Sequence, residues 1–282
     1  MSRGPAGLLA KALPALLASC LVATGTAAQA CTPRNFLLEP LPATLTAPHW
    51  RAAILLAYPV LELGDGADTL RTPDGIVLGA LDLTDRPPKV RLETPTVGDQ
   101  FVPGYPLSRD LESRTEPFFD PGRVRNEEFF ALLYGSDPAT VEAELEIVSF
   151  GPARFRVTSR HGAACQLRGA FGLMKPHQEA VLPFFENAGG GYAWRRIAGT
   201  DRTSPHSWGI AIDLNAELGG YWRWTGANEG AVGAYRNRIP WPLVEAMESS
   251  GFVWGGKWHH FDGMHFEYRP ELILYGRMLQ GN

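Results

Sequence analysis

The stretch SPHSWGIAIDLN at residues 204–215 constrains the fold more than any other part of the chain. If GIAIDL forms a β-strand, its two-residue period places large apolar side chains on one face, namely Ile210, Ile212 and Leu214. The other face then carries Asp213 beside the small Ala211, which leaves room around the carboxylate. His206, in the turn before the strand, can approach the same space. The pattern therefore predicts a strand that directs a carboxylate into a cavity.

A second polar pattern lies near the C-terminus, in KWHHFDGMHFEYRPEL. Here His265 and Glu267 alternate with aromatic residues, as in a strand with one polar face. Asp262 precedes His265 by three residues, on an Asp-Gly turn that leads into the strand. Spacing alone also allows His259 or His260 to take the place of His265. The pattern predicts a turn and a strand that together present a carboxylate and an imidazole.

Together, His206, Asp213 and His265 form a candidate metal site. Two imidazole nitrogens and one carboxylate oxygen suit zinc, and three protein ligands leave a fourth position open, as in catalytic sites. Other divalent ions also fit such ligands. A neighbouring carboxylate can accept and return a proton, and Asp262 is the candidate for this role. The alternative interpretation is a surface turn and a strand-end carboxylate without a metal.

Helical and strand patterns mix between residues 120 and 282. Helices are predicted in RVRNEEFFALLYG, which ends at Gly135, in KPHQEAVLPFFENAGGG, which ends at Gly189–Gly191, and in WPLVEAMESSG. Asp137 and Pro138 are predicted as the N-cap and first residue of another helix. AELEIVSF and ARFRVTSR contain the β-branched and aromatic residues typical of strands. This mixture predicts an α+β domain over residues 120–282.

Residues 31–119 differ from the rest of the chain because they are rich in proline and turns. They contain short apolar runs such as AAILLAYPVLEL, and TPDGIVLGALDL is predicted to form a hairpin. No catalytic pattern occurs in them. We interpret this segment as an N-terminal extension or cap of unknown role.

Residues 1–30 have the pattern of a secretory signal peptide. Two basic residues accompany an apolar run, and the small residues Ala28 and Ala30 predict cleavage before Cys31. An alternative is that LASC is a lipobox, in which case Cys20 would carry a lipid anchor. Both alternatives predict export to the periplasm or the cell envelope.

The cysteines and the charge agree with export and exclude some partners. Once residues 1–30 are removed, or Cys20 is lipidated, only Cys31 and Cys165 remain, and in an oxidising compartment such a pair commonly forms a disulfide. Two unpaired buried thiols are the alternative. The net charge of −4 provides no basic surface for nucleic acid. No apolar run of about 18 residues follows the signal peptide, so no transmembrane segment is predicted.

These motifs resemble the M15 family of zinc D-alanyl-D-alanine carboxypeptidases and related L,D-endopeptidases. Within that family, the sequence is similar to a bacterial subgroup, either the VanY-like peptidases or subfamily C. The family pattern is matched at Ser204, His206, Gly209, Ala211, Asp213, Asp262 and His265. The resemblance covers residues 120–275. It implies a small antiparallel sheet flanked by helices, as in hedgehog and D,D-peptidase folds. It also implies an exported enzyme that cuts peptidoglycan stem peptides, either at D-Ala-D-Ala or at L-Ala-D-Glu; a catalytically silent wall-binding module is the alternative.

The resemblance further implies roles for the metal site. In the family, the residues that match His206, Asp213 and His265 bind one zinc ion. The residue that matches Asp262 is the general acid and base, a position at which many relatives have glutamate.

Other residues are implied to contact the substrate or to orient a ligand. A family arginine upstream of the histidine motif stabilises the developing oxyanion. The Trp-Arg-x-Ile pattern favours Arg195 over Arg196 for this position. The remaining candidates for substrate binding or ligand orientation are Ser204, Arg196, Trp208 and Glu267.

Overall fold

A computed structural model describes residues 31–281, apart from 45–47, 65–68 and 80–84, together with Met1 and Gly4. The rest of the predicted signal peptide, including Cys20, lies outside the described residues. The contacts define Cys31–Asn282 as one compact unit. In the described ranges, no helix has the length and apolar character needed to cross a membrane.

The sheets are small and antiparallel. In the N-terminal segment, β1 (Glu62–Leu63), β2 (Leu70–Arg71) and β3 (Val77–Leu78) form one sheet, and the β2–β3 pairing confirms the predicted hairpin. A second hairpin consists of β4 (Leu145–Phe150) and β5 (Ala153–Thr158). The strands β6 (Ala188–Gly190), β7 (Ala211–Asn215), β8 (Phe252–Trp254) and β9 (His265–Tyr268) form the largest sheet, in the spatial order β6-β7-β9-β8.

Helices account for much of the remaining described chain. The α-helices are α1 (His49–Ala57), α2 (Pro88–Glu93), α3 (Glu127–Tyr134), α4 (Pro138–Glu142), α5 (Ala163–Met174), α6 (Gln178–Val181), α7 (Ala216–Gly219), α8 (Trp241–Ser249) and α9 (Pro270–Leu279). Short 3₁₀ turns lie at Gly98–Phe101, Glu112–Thr115, Arg160–Gly162, Lys175–His177, Leu182–Phe185, Pro205–Trp208, Trp222–Thr225 and Gly255–Lys257. The mixture of helices and small antiparallel sheets confirms the predicted α+β class.

Local signals explain where two of these helices begin and end. α3 ends at the predicted Gly135, whose positive φ of 118° few other residues adopt. At the start of α4, the side chain of Asp137 accepts a hydrogen bond from the Thr140 amide at 3.0 Å, as predicted for an N-cap.

The single helix predicted in KPHQEAVLPFFENAGGG is only partly formed. The segment divides into two 3₁₀ turns around the short α6. Gly189 and Gly190 belong to β6 and Gly191 follows it, so these glycines do not end a helix. Pro176 and Pro183 have no amide hydrogen and interrupt a continuous helix. Conversely, AAILLAYPVLEL contains most of α1, which the turn-rich composition of its surroundings did not predict.

Residues on both sides of position 120 share one hydrophobic core. The ring centroids of Phe101 and Tyr275 lie 5.2 Å apart, and those of Tyr58 and Phe129 lie 5.9 Å apart. Such edge-to-face pairs add to the stabilisation from apolar burial. The N-terminal segment therefore packs directly against the segment that carries the site motifs. The boundary at residue 120 and the capping role stay predictions.

The predicted disulfide is present. Cys31 and Cys165 are joined, with their Cα atoms 5.6 Å apart, and the bridge links the first residues of the described chain to α5. Nearby, the amide of Phe36 donates to Ser249 O at 2.8 Å, and Arg277 donates to the carbonyls of Phe36 and Glu39. Residues 31–39 are thus held by covalent and polar contacts.

Candidate metal centre and its cavity

The pairing of β7 with β9 brings the predicted ligands together. Asp213 lies directly opposite His265 in the antiparallel register, so both side chains project on the same face. His206 enters from the 3₁₀ turn Pro205–Trp208, which leads into β7 through Gly209. Asp213 contacts His265 Nδ1 through Oδ1 at 2.9 Å and His206 Nε2 through Oδ2 at 3.2 Å. Potential ligand atoms of the three residues lie within 4.8 Å of one another.

The outer nitrogen of each imidazole is held by a partner. His206 Nδ1 lies 2.7 Å from the carbonyl oxygen of Gly191, and His265 Nε2 lies 3.4 Å from Glu267 Oε2. If each outer nitrogen donates its proton, Nε2 of His206 and Nδ1 of His265 are free to accept. Metal-binding histidines are oriented in this way by a carbonyl or carboxylate on the far side of the ring. The donor set therefore fits a transition metal, with Asp213 as the third ligand.

Glycines next to β7 allow this close arrangement. A Cβ atom at Gly189 would lie 2.9 Å from the Cβ of Asp213, and one at Gly191 would lie 2.5 Å from Arg156 O. Both distances are too short for ordinary packing. Small residues are needed here because β6 passes close to the ligand Asp213, and the residue that follows β6 supplies the carbonyl that orients His206.

Electrostatics make the cluster attractive to a cation. Burial disfavours the charged form of His265, but the hydrogen bonds to Asp213 and Glu267 outweigh it and raise the pKa of the imidazole to about 10. Burial likewise opposes ionisation of Asp213, yet His206 and His265 hold its pKa well below the ordinary value. Both shifts have one cause, because the carboxylates of Asp213 and Glu267 favour a positive charge at the point where the three side chains meet. Binding of a metal at such a point releases protons.

Behind His265 lies a buried series of ion pairs. Glu267 is fully buried, and Arg125 donates three hydrogen bonds to its carboxylate at 2.5, 2.8 and 3.0 Å. Arg269 lies 3.5 Å from the same carboxylate and 2.5 Å from Glu271, which accepts a hydrogen bond from the Tyr58 hydroxyl at 2.8 Å. The predicted orienting role of Glu267 agrees with this position beside the imidazole.

Asp262 borders the same cavity as the three candidate ligands. Its amide donates to Gly255 O at 3.0 Å, and its carbonyl accepts from the His265 amide at 3.1 Å, so the turn before β9 fixes its position. The Oδ1 atom is buried without a hydrogen-bond partner. Burial, with a contribution from the charge of Asp213, raises the pKa of Asp262 to about 6, although His265 and His206 oppose this shift. The side chain can therefore gain or lose a proton near neutral pH.

The two alternative ligands, His259 and His260, have other hydrogen-bond partners. His260 Nδ1 lies 2.6 Å from Asp120 Oδ2, and its Nε2 accepts a hydrogen bond from the Gly230 amide at 3.0 Å. His259 Nδ1 lies 2.9 Å from Arg114 O. Within the described residues, the group that can hold a metal contains His265 and neither of these histidines.

The other predicted residues divide between the cavity and its surroundings. Ser204 and Arg195 line the cavity. Arg196 instead pairs with Glu127 at 3.0 Å and donates to Thr203 Oγ1 at 2.7 Å, outside the cavity lining. This placement favours Arg195 as the residue that faces a substrate.

Trp208 does not reach the cavity. It is buried in the hydrophobic core, and its ring stacks on Phe130 with 4.9 Å between centroids. The buried ring anchors the 3₁₀ turn Pro205–Trp208, which carries His206. Trp208 therefore has a structural role in the motif and does not contact the substrate.

The cavity has a volume of about 300 Å³ and is lined by several arginines that no sequence pattern predicts. Besides Arg195, these are Arg123, Arg125, Arg202 and Arg223. They come from separate segments and follow no periodic pattern, so only the folded chain brings them together. A loop sequence such as AGTDRTSPH gave a weak indication, since it places Arg202 four residues before His206.

A His-Asp-His cluster that borders one cavity with the carboxylate of Asp262 defines a candidate metallohydrolase centre. A family model described as D-alanyl-D-alanine carboxypeptidase, of the M15 peptidases, matches residues 198–268. The matched segment contains His206, Asp213, Asp262 and His265, and it supports the assignment to the M15 peptidase family. No curated protein and no solved structure matches the chain.

Proposed function

We propose that the protein is a zinc-dependent peptidase that hydrolyses peptide bonds in peptidoglycan stem peptides. The observation that carries this proposal is the unpartnered Oδ1 of Asp262, which borders the same cavity as the His-Asp-His cluster. A buried carboxylate oxygen without a hydrogen-bond partner is costly, and such groups concentrate at catalytic sites. The family match over residues 198–268 supports a peptidase.

Zinc fits the donor set through His206 Nε2, His265 Nδ1 and an Asp213 carboxylate oxygen. When bound, zinc would supply Lewis acidity, which makes water a stronger acid and polarises a carbonyl group. The protein contributes orientation, because Gly191 and Glu267 fix the two imidazole rings. It also contributes a partly enclosed cavity in which charges interact more strongly than in water.

The side chains of the cavity account for the proton transfers. Asp262 accepts a proton from the attacking water while the new carbon–oxygen bond forms. It then delivers this proton to the amine nitrogen as the carbon–nitrogen bond breaks, so one residue serves as base and acid. Arg195 stabilises the negative charge that develops on the carbonyl oxygen. A pKa of about 6 for Asp262 suits both tasks near neutral pH.

We infer that the protein acts after export, in the periplasm or the cell envelope. The Cys31–Cys165 disulfide supports this location because such bonds persist in oxidising compartments. After export, the chain would either lose residues 1–30 or carry a lipid at Cys20. In both cases, the substrate would be the stem peptides of the wall.

The first experiment is mass spectrometry of purified peptidoglycan fragments after incubation with the zinc-loaded protein, with and without chelator. We expect a chelator-sensitive product, and the mass that is lost identifies the bond. Asp262→Asn should retain zinc and lose about 10²–10⁴-fold in rate, whereas Asp213→Asn should lose the metal. If Asp262→Asn hydrolyses at the wild-type rate, the proposed proton transfers are wrong. If no product forms with any divalent metal but the protein binds peptidoglycan, the wall-binding alternative is favoured.

A further inference from the structure

The arginines of the cavity differ in how their charges are balanced. Arg123 pairs with Asp120 at 3.0 Å, and Arg125 pairs with the buried Glu267. These two guanidinium groups therefore have acidic partners in the protein. Arg195 and Arg202 differ from them, because no side-chain hydrogen bond or ion pair joins either guanidinium to the described residues. Arg195 already has the proposed oxyanion role, so Arg202 is the one of the two without an assigned role.

Arg202 is partly buried among like charges. Burial lowers the pKa of its guanidinium to about 10, and the charges of Arg123, Arg125 and Arg223 act in the same direction. Glu229 offsets part of this repulsion. The side chain remains charged at neutral pH, so the fold holds a cation where other cations oppose it. Such an arrangement is stable at low cost only when an anion joins it.

The backbone holds Arg202 in place. The amide of Arg202 donates to Thr200 Oγ1 at 3.2 Å, and its carbonyl accepts from the Ile197 amide at 2.9 Å, so the loop before His206 is a defined turn. Arg223 approaches from another segment and donates through Nη1 to Ala198 O at 3.1 Å. That bond connects the two arginine-bearing segments. Both arginines line the cavity that contains the candidate metal ligands.

We propose that Arg202, assisted by Arg223, binds a substrate carboxylate that is not part of the peptide bond being cut. The inference rests on the proposed peptidase function and assigns its substrate class, namely acidic peptides. A guanidinium group matches a carboxylate because two parallel N–H groups can donate to its two oxygens. The carboxylate would also relieve the repulsion among the arginines. Its source is either the C-terminus of the peptide or the side chain of a residue near the cut.

The test uses the pentapeptide L-Ala-γ-D-Glu-L-Lys-D-Ala-D-Ala in three forms. One is unmodified, one has a C-terminal amide, and one has the free carboxylate of D-Glu converted to an amide. The proteins are wild type, Arg202→Gln and the matched control Arg168→Gln, which removes an exposed arginine that pairs with Glu146 and does not line the cavity. Circular dichroism and unfolding curves establish that each variant is folded.

We expect Arg202→Gln to lower kcat/KM on the unmodified peptide by about 10–100-fold, the worth of a charged hydrogen bond. One of the two amides should lower wild-type kcat/KM by a similar factor and should remove the effect of Arg202→Gln. That amide identifies the source of the carboxylate. Arg202→Lys should fall between wild type and Arg202→Gln, because it keeps the charge without the paired donors. Arg168→Gln should match wild type on all three peptides.

A second measurement separates this inference from the peptidase proposal. Calorimetry with the zinc-loaded Asp262→Asn protein, with and without Arg202→Gln, gives the affinity for each peptide without turnover. If wild type hydrolyses none of the peptides, the peptidase proposal fails, yet weaker binding of one amide that depends on Arg202 still supports the carboxylate site. Equal losses by Arg202→Gln on all three peptides, or no loss on any, in both kinetics and binding, would overturn the inference.

Discussion

Replacement of Glu267 by glutamine tests the link between the candidate metal centre and the buried ion pairs. The substitution keeps the size of the side chain and removes its charge. In the wild type, Arg125 donates three hydrogen bonds to this carboxylate. The side chains of Arg125 and Glu267 are only 7% and 0% exposed, so Arg125 would keep a buried positive charge without a negative partner. Arg269, at 3.5 Å, would lose the same negative charge. His265 would have a neutral amide as its partner in place of the carboxylate that orients its ring.

The expected size of the effect follows from this burial. Removal of one partner from a buried ion pair costs about 3–5 kcal/mol of unfolding free energy. For a chain of this size, that loss corresponds to a decrease of about 6–20 °C in Tm. The zinc affinity should also fall by about 10–100-fold, because the charged partner that orients a metal-binding histidine is replaced by a neutral amide.

Two assays on the same protein measure these effects. Urea unfolding of the metal-free protein gives the change in stability, and competition with a chromophoric chelator gives the zinc affinity. Glu245→Gln is the control, because its partner Arg109 lies at a similar distance of 2.6 Å but the side chains are 45% and 64% exposed. This control should leave stability and zinc affinity unchanged. Should Glu267→Gln unfold within about 1 kcal/mol of wild type, the buried pairs do not carry the stability assigned to them.

Three further predictions concern stability. The double variant Cys31→Ser with Cys165→Ser should lose roughly 5 kcal/mol, since the bridge joins residues 134 positions apart; equal urea midpoints for oxidised and reduced wild type would contradict this. Asp120→Asn should cost about 1–3 kcal/mol at pH 7. Burial alone would raise the pKa of Asp120, but His260 and Arg123 outweigh burial, so the net pKa lies below the ordinary value. The cost should therefore be full above the ordinary value of 3.8 and should decrease from there as pH falls through the lower pKa of the folded protein, and urea titrations at pH 7 and pH 3 test this decrease. Asn126→Ala should remove the N-cap of α3 and cost about 1 kcal/mol, whereas Asn126→Ser, which keeps a capping oxygen, should cost less; urea unfolding of both variants checks the order.

The candidate ligands are predictable from sequence because each lies in or next to a strand with a clear period. The two-residue alternation by itself places Asp213 and His265 on polar faces. The direct pairing of these two residues is different, since it depends on the register between β7 and β9. Register is a property of long-range contacts, and no local pattern fixes it.

The choice among neighbouring histidines shows the same limit. His260 is excluded as a ligand because Asp120, 140 positions away in sequence, takes one ring nitrogen. The spacing of the histidines in KWHHFDGMH does not indicate this contact. The cavity arginines were missed for the same reason, because Arg123 and Arg202 meet only in the folded chain.

Errors in the secondary structure have local causes. The apolar period in KPHQEAVLPFFENAGGG favours a helix, but two prolines within it remove amide donors, and the close approach of Gly189 to Asp213 requires a glycine in β6. No helix was predicted at α1, because the high proline and turn content of the surrounding segment outweighed the apolar residues within it.

The ion pairs that run from Glu267 to Tyr58 bear on how such a chain can evolve. Glu271 accepts a hydrogen bond from the Tyr58 hydroxyl at 2.8 Å, and Arg269 donates to the side-chain oxygen of Gln100 at 3.4 Å. These two C-terminal residues therefore have their partners in the N-terminal segment. Recombination that exchanged residues 120–282 alone would leave these buried groups unmatched, at about 1–3 kcal/mol each. We therefore expect the two segments to be inherited together, as one heritable unit and not as interchangeable modules.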